Sequence, residues 1–254
     1  MDLPEGKKIY FASDFHLGIP DKASSLAREK RICQWLDEIK HDAARIFLVG
    51  DLFDVWFEYK RVIPKGYARF FGKLAELSDA GIPVEVFTGN HDLWMQGYFE
   101  DEFSIPVHHN PIQRTYNGKK FLIAHGDGLG PGDATYKVMK KIFRSPLSQW
   151  LYRRLHPDTG VGMAGWFSRR GTKHTSGQEE KFLGPEREWL VQYALGLLKR
   201  EHIDYFIFGH RHVAVTHTLN DESLFVNLGD WIRYDSYAVF DGKELELKFH
   251  KAIV

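Results

Sequence analysis

The stretch IYFASDFH, residues 9–16, decides how this chain is read. Ile9 to Ala12 run without a polar interruption, and Asp14 and His16 follow two residues apart. An unbroken apolar run suits a strand covered on both faces, because both sides of its pleat meet other layers. In extended backbone, residues two apart point the same way, so the carboxylate and the imidazole are expected to face together. Working outward, the pattern recurs. RIFLVG at 45–50 leads to Asp51, and PVEVFTG at 83–89 leads to Asn90, His91 and Asp92. Between these runs, Ile32, Leu36, Ile39 and Ala43 recur at helical spacing in a segment from about 24 to 40. Tyr67, Phe70, Leu74 and Leu77 do the same between about 66 and 80. Strand, helix, strand, helix, strand in this order predicts parallel βαβ units.

The second half reads differently. Asn117-Gly118 between apolar runs at 112–116 and 119–124 is a hairpin signal, and Asp241-Gly242 is another. Beyond Gly132 about 70 residues read as helical, including a basic stretch with Phe143, Trp150, Tyr152, Trp166 and Phe167. Strands return at 204–208, 213–218, 224–228, 236–240 and 244–250. The expectation is one mixed-sheet α/β domain over 1–254 with a helical cap inserted at 130–185.

The 254 residues carry 34 Lys plus Arg and 34 Asp plus Glu, so no global field favours nucleic acid. The charge is uneven, since residues 137–173 hold nine basic residues against one acid, Asp158. Cys33 stands alone, which excludes an intramolecular disulfide. No apolar run reaches the roughly 18–20 residues that span a bilayer.

Five predicted strand ends deliver metal-ligand chemistry: Asp14 and His16, Asp51, Asn90 to Asp92, His125 with Asp127, and His210 with His212. Ligand sites in α/β sheets form beyond the carboxyl ends of strands. Carboxylate, imidazole and amide oxygen suit Mn, Fe or Zn. So many donors exceed the needs of one ion, and two cations about 3.5–4 Å apart sharing a carboxylate is the economical arrangement. Asp51, at a central strand end with no histidine beside it, is the expected bridge. His91 is expected to hydrogen-bond a phosphoryl oxygen or protonate the leaving group, with Asp92 fixing its tautomer. Taken singly, His16 or His125 would read as a packing residue. Five coincidences at strand ends would be needed to explain all of them that way. His108, His109, His156, His174, His202 and His217 lack this context and are read as surface or packing residues.

Asp14-x-His16, Gly50-Asp51, Gly89-Asn90-His91-Asp92, His125-Gly126 and Gly209-His210-x-His212 resemble, in order, the five blocks of the calcineurin-like metallophosphoesterases. The resemblance implies a four-layer sandwich of two mixed sheets flanked by helices. It implies one ion held by Asp14, His16, Asp51 and His212 and another by Asp51, Asn90, His125 and His210, most suitably Mn²⁺, with Fe or Zn as alternatives. SDFHLG at 13–18, GDLFDVWFEY at 50–59 and HGDGLGPGDATY at 125–136 further resemble the UDP-2,3-diacylglucosamine diphosphatase family of lipid A synthesis. That family cleaves a lipid-linked sugar nucleotide to UMP and lipid X. By this resemblance Asn90, His91, Asp133, Tyr136, Arg169 and Lys173 contact substrate. The basic, aromatic cap would hold acyl chains and dock on the cytosolic face of the inner membrane, making the protein cytoplasmic and peripheral. Two positions depart from the pattern: His91 replaces the usual Arg, and Arg211 the usual Thr. A phosphodiesterase or phosphatase for a different ester is the alternative, and a non-catalytic scaffold on the same fold is a second. An ordinary amphipathic helical subdomain is the plain reading of the cap.

Overall fold

The computed structural model describes residues 2–132, 134–175 and 181–250, with backbone alone at 135 and 169–175. The first apolar run forms β1 (Lys8–Ala12), parallel to β2 (Ala43–Val49), which is parallel to β3 (Val84–Phe87). The intervening helices are α1 (Lys22–Ile39) and α2 (Ala68–Asp79). With β4 (Val107–His108), β10 (Ser236–Phe240) and β11 (Leu245–Phe249) these strands make a six-stranded sheet of order β11-β10-β1-β2-β3-β4. The second sheet has five strands. These are β5 (Ile112–Tyr116), β6 (Lys119–Ala124), β7 (Tyr205–Phe208), β8 (Ala214–Asn220) and β9 (Ser223–Leu228), in the order β5-β6-β7-β9-β8. Both sheets are mixed, and both hairpins expected at Asn117-Gly118 and Asp241-Gly242 are present.

The layers follow from side-chain alternation. Ile9, Phe11, Phe47 and Val49 meet Phe121, Ile123, Ile207 and Val226 between the sheets. Their neighbours Tyr10, Ala12, Ile46 and Leu48 face α1, α2 and the short α3 (Tyr98–Phe103). On the other side Leu122, Ala124, Phe206 and Phe208 pack on α7 (Trp189–Leu198). Each of these strand residues is thus buried on one face or the other, giving helix, sheet, sheet, helix. Phe11 stacks on Phe47 with centroids 5.2 Å apart and on Phe121 at 6.1 Å, riveting the sheets together. Fully burying each such side chain contributes about 1.5–3 kcal/mol.

Some boundaries differ from the sequence reading. α1 starts at Lys22 because the Asp21 carboxylate caps the free N–H groups of Ala23 and Ser24 at 2.8 and 2.9 Å. Ala43 belongs to β2, and Tyr67 is the left-handed residue before α2 rather than part of it. α3 and β4 are too short to register as periodicity.

Between β6 and α7 the chain forms α4 (Ala134–Arg144), α5 (Pro146–Tyr152) and α6 (Pro157–Thr175). Trp94 donates its indole N–H to the Phe143 carbonyl at 2.8 Å, and Tyr152 packs on Phe57 and Trp94 with centroids 4.5 and 4.7 Å away. Large apolar side chains on these helices stay exposed, among them Val138, Ile142, Leu147, Trp150, Leu151 and Phe167. Among the described residues no helix is long and apolar enough to cross a membrane.

Candidate metal centre

Parallel strands end at one edge of a sheet, so the loops after β1, β2 and β3 and after β6 and β7 meet where the two sheets come together. Asp14, His16 and His212 form one group of donor atoms, Asp51, His125 and His210 a second, and His16, Asp51 and His91 a third, each within 4.8 Å. His16 and Asp51 join the groups at 3.7 Å. Asp14 Oδ1 lies 3.7 Å from His16 Nε2 and 3.4 Å from His212 Nε2, and those two nitrogens face each other at 3.1 Å. His125 Nε2 lies 3.3 Å from Asp51 Oδ2 and 3.4 Å from Asn90 Oδ1. All seven donors expected from the sequence are in this cluster or at its edge.

The backbone is bent to bring them in. Asp14, His16, Asp51, His210 and His212 all have φ between 42° and 68°, a left-handed region that non-glycine residues seldom occupy. Two glycines leave the room the donors need. A Cβ on Gly89 would lie 2.1 Å from Asp51 Oδ1, and one on Gly50 would lie 2.6 Å from His125 Nδ1.

The ring orientations fit cation binding. His125 Nδ1 donates to the Val49 carbonyl at 2.8 Å, and His212 Nδ1 faces the Asp230 carboxylate at 3.2 Å. Both acceptors fix the proton on Nδ1 and leave the Nε2 lone pair turned inward, as metal-bound histidines require. Asp14 Oδ1 is buried with no hydrogen-bond donor, which a cation would satisfy. Donors around one ion at about 2.1 Å stand roughly 3.0–3.4 Å apart, close to the spacings found here. The donors are all oxygen and imidazole nitrogen, the set that suits Mn, Fe or Zn.

The charges of the cluster reinforce one another. Burial alone would raise the Asp51 carboxyl, but the imidazoles of His125, His91 and His16 outweigh it and hold Asp51 well below its usual range. Burial would likewise lower His125 and His91, yet Asp51 raises both to about 10, helped at His91 by Asp54. Burial and the His125 charge bring His210 down to about 4.

Asp92 does not act on the His91 ring as expected. Its carboxylate accepts the backbone N–H groups of Gly89 and Leu52, both at 2.7 Å, and of Phe53 at 3.4 Å. It therefore clamps the β2 and β3 loops together, and its oxygens have no freedom to turn to the imidazole. His91 Nδ1 meets Asp54 instead, 3.0 Å from the carbonyl oxygen and 3.4 Å from Oδ1.

Tyr136, on α4, donates to the Asp127 carboxylate at 2.5 Å, where Lys140 Nζ also sits at 2.5 Å. This ties Tyr136 to the loop of the His125 donor, since Asp127 stands two residues beyond that histidine. Asp133 lies outside the described residues; Arg169 and Lys173 lie in α6, and their side chains are outside the description. Arg211 turns away from the cluster, forming a buried two-point pair with Glu188 at 3.0 and 3.1 Å and lying 4.6 Å over the Trp189 ring.

Sequence reasoning missed Asp54, Asp230 and the Val49 carbonyl. Leu228-Gly229-Asp230 repeats the strand–Gly–Asp pattern of Val49-Gly50-Asp51, so Asp230 was within reach of the same rule. Asp54 stands three residues beyond Asp51, and the carbonyl has no sequence signal.

The calcineurin-like phosphoesterase family model matches residues 7–214, which contain every donor in the cluster. A UDP-2,3-diacylglucosamine hydrolase of Porphyromonas gingivalis is 42% identical over 255 residues, covering 95% of this chain and 97% of its own length. Proteins with the same name from a Shewanella species and from Edwardsiella ictaluri are 27% and 25% identical over 241 residues, covering 95% and 93% of this chain and 96% and 90% of their own.

Proposed function

Because this chain belongs to the calcineurin-like phosphoesterase family, we propose that it hydrolyses the pyrophosphate of UDP-2,3-diacylglucosamine, giving UMP and 2,3-diacylglucosamine 1-phosphate. The observation that carries the chemistry is the shared Asp51 carboxylate, with His16 on one side and His125 on the other. The substrate comes from the name of the 42% identical relative.

In this reading Asp14, His16, Asp51 and His212 hold one divalent cation, and Asp51, Asn90, His125 and His210 the other, with Mn²⁺ best suited. When bound, the pair supplies Lewis acidity to the attacking water and to a phosphoryl oxygen. The Val49 carbonyl and Asp230 keep two of the imidazoles in the tautomer that binds. His91 presents its ring to the phosphate, hydrogen-bonding a phosphoryl oxygen or protonating the departing one. Tyr136, Asp133, Arg169 and Lys173 contact the sugar nucleotide. Helices α4 to α6 form a cap whose exposed apolar residues receive the acyl chains and rest on the cytosolic face of the inner membrane.

Purified protein is expected to release UMP from detergent-dispersed substrate, to lose this activity with EDTA and to regain it with Mn²⁺. Asp51→Ala is expected to stay inactive after the addition. If the acylated sugar nucleotide is ignored while a soluble nucleotide diester is turned over rapidly, the substrate assignment is wrong. If chelation leaves the rate unchanged, the metal mechanism is wrong.

A further inference from the structure

Helix α1 turns polar side chains toward two loops of the cluster. Ser25 and Arg28 are almost fully buried on it. Ser25 Oγ accepts the backbone N–H of Gly18 at 2.8 Å. Arg28 donates from one terminal nitrogen to the carbonyls of His16 and Ile19, at 2.6 and 2.5 Å. Among the described residues no carboxylate pairs with this guanidinium, and its Nε has no acceptor. Burial and the neighbouring Arg31 oppose its charge, and Asp230, Asp235 and Asp54 favour it only from beyond contact. A buried cation without a paired carboxylate is a poor source of stability. What Arg28 contributes is the place of those two carbonyls, which close the loop after β1 where His16 takes its φ of 42°. Arg31, three residues on and so on the same side of the helix, reaches the loop after β9. Its Nε and a terminal nitrogen grip the Asp235 carboxylate at 2.8 and 3.0 Å, and that terminal nitrogen also donates to the Trp231 carbonyl at 3.2 Å. Trp231 donates its backbone N–H to the Asp14 carbonyl at 3.1 Å and packs against Trp35 of α1 and Phe15, with centroids 5.2 and 5.5 Å away. Beside it in the chain stands Asp230, which faces the His212 ring.

We propose that Arg28 and Arg31 are positioning residues through which α1 sets the two histidines of one cation, His16 and His212, and leaves those of the other alone. The inference rests on the reading that Asp14, His16, Asp51 and His212 hold one cation and Asp51, Asn90, His125 and His210 the second. Arg28 restrains the backbone that carries His16, and Arg31 restrains the loop that carries the partner of His212. The two imidazoles so placed bring their Nε2 atoms to 3.1 Å from each other. The His125 and His210 loops are tied to each other and to β9 instead. The Gly209 N–H donates to the His125 carbonyl at 3.0 Å, and the Asn227 amide donates to the Gly209 carbonyl at 2.9 Å. Among the described residues no side chain of α1 hydrogen-bonds either of those loops. One helix therefore serves one half of the metal centre. Ligands held by side chains behind them meet an ion already in place, so loosening α1 weakens one cation and spares its neighbour.

The test titrates the full chain, freed of metal by chelation, with Mn²⁺ in a calorimeter, and measures denaturant unfolding of each variant in parallel. The parent is expected to bind two ions. Arg28→Met is expected to weaken one of them about 10–100-fold and to leave the other within about threefold, as for loss of a partner behind a metal ligand. Arg28→Lys keeps one nitrogen with three donors and is expected to recover at least about threefold of that loss. Arg31→Met, at a partly exposed position, is expected to weaken the same ion about threefold or more. Arg28→Lys and Arg31→Met carry the test should Arg28→Met not fold. Glu29→Gln is the control, because Glu29 is buried on the same helix but accepts the N–H groups of Arg69 and Phe70, away from the donors. It is expected to lower stability and leave both affinities unchanged. In a His125→Ala background, adding Arg28→Met is expected to weaken the ion that remains; in a His212→Ala background it is expected to have no such effect. Unchanged affinities in the arginine variants, equal weakening of both ions, or the same weakening in Glu29→Gln overturns the positioning role and leaves the two-ion reading standing. Weakening confined to the His212→Ala background does the same. A parent that binds fewer than two ions overturns both.

Discussion

His212 turns its Nε2 toward Asp14 and His16 because Asp230 occupies the other side of the ring. Asp230 is itself held, accepting the backbone N–H groups of Ile232 and Arg233 at 2.9 and 2.7 Å. Asp230→Ala is therefore expected to leave the fold intact and to weaken Mn²⁺ binding about 10–100-fold, the usual effect of losing a partner behind a metal ligand. A Mn²⁺ titration of activity checks this, and an unchanged midpoint counts against it. At this scale the sequence was informative about donors and nearly blind to what orients them. Asp14, His16, Asp51, His125, His210 and His212 were legible because spacing and strand ends announce them. Their orienting partners include a main-chain carbonyl and an aspartate in the loop after β9, contacts that only the folded chain creates. Asp92 shows the reverse error, since adjacency to His91 suggested a pairing that the loop geometry forbids.

The strands carry the site, and they were read well for a simple reason. A strand packed on both faces is apolar over most of its length, and apart from Lys8, Arg45 and Glu85 so are β1, β2 and β3. Short elements such as α3 left no periodic trace, and only its buried Phe99 and Phe103, four residues apart, mark it in retrospect. The loop after β7 shows how an element end is stiffened. Arg211 sits between the two donors His210 and His212, and its guanidinium meets Glu188 at the start of α7, both side chains being about 95% buried. A bidentate pair of this kind fixes direction as well as distance. Arg211→Ala would leave the Glu188 carboxylate buried and uncompensated, with an expected loss of about 3–5 kcal/mol. Replacing both partners by Leu and Met should recover much of that loss, since well-packed apolar substitutes often match a buried ion pair. Denaturant unfolding of the single and double variants measures the difference. If Arg211→Ala is as stable as the parent, the pair is not what stiffens the loop.

Across the whole molecule the balanced total charge conceals a division, with residues 137–173 strongly basic and the remainder acidic. The same segment bears the exposed apolar side chains of α4, α5 and α6. If these helices rest on a membrane, the protein should sediment with vesicles containing anionic phospholipid. Each basic residue near such a surface contributes about 1 kcal/mol. Raising the ionic strength from about 0.1 to 1 M, which shortens the screening length from about 10 to 3 Å, should release much of the bound protein. Serine at Leu147, Trp150 and Phe167 together should reduce binding at least about tenfold, since each buried apolar side chain is worth more than 1 kcal/mol. Vesicle binding that survives both changes would place the contact elsewhere. Left-handed torsions at ordinary residues are uphill by about 1–3 kcal/mol each, and five occur along one rim of this molecule. Erase every side chain there and the main chain would still curl where leucine or valine would refuse to go. The protein's purpose is thus written twice, once in functional groups and once in the path of the polypeptide.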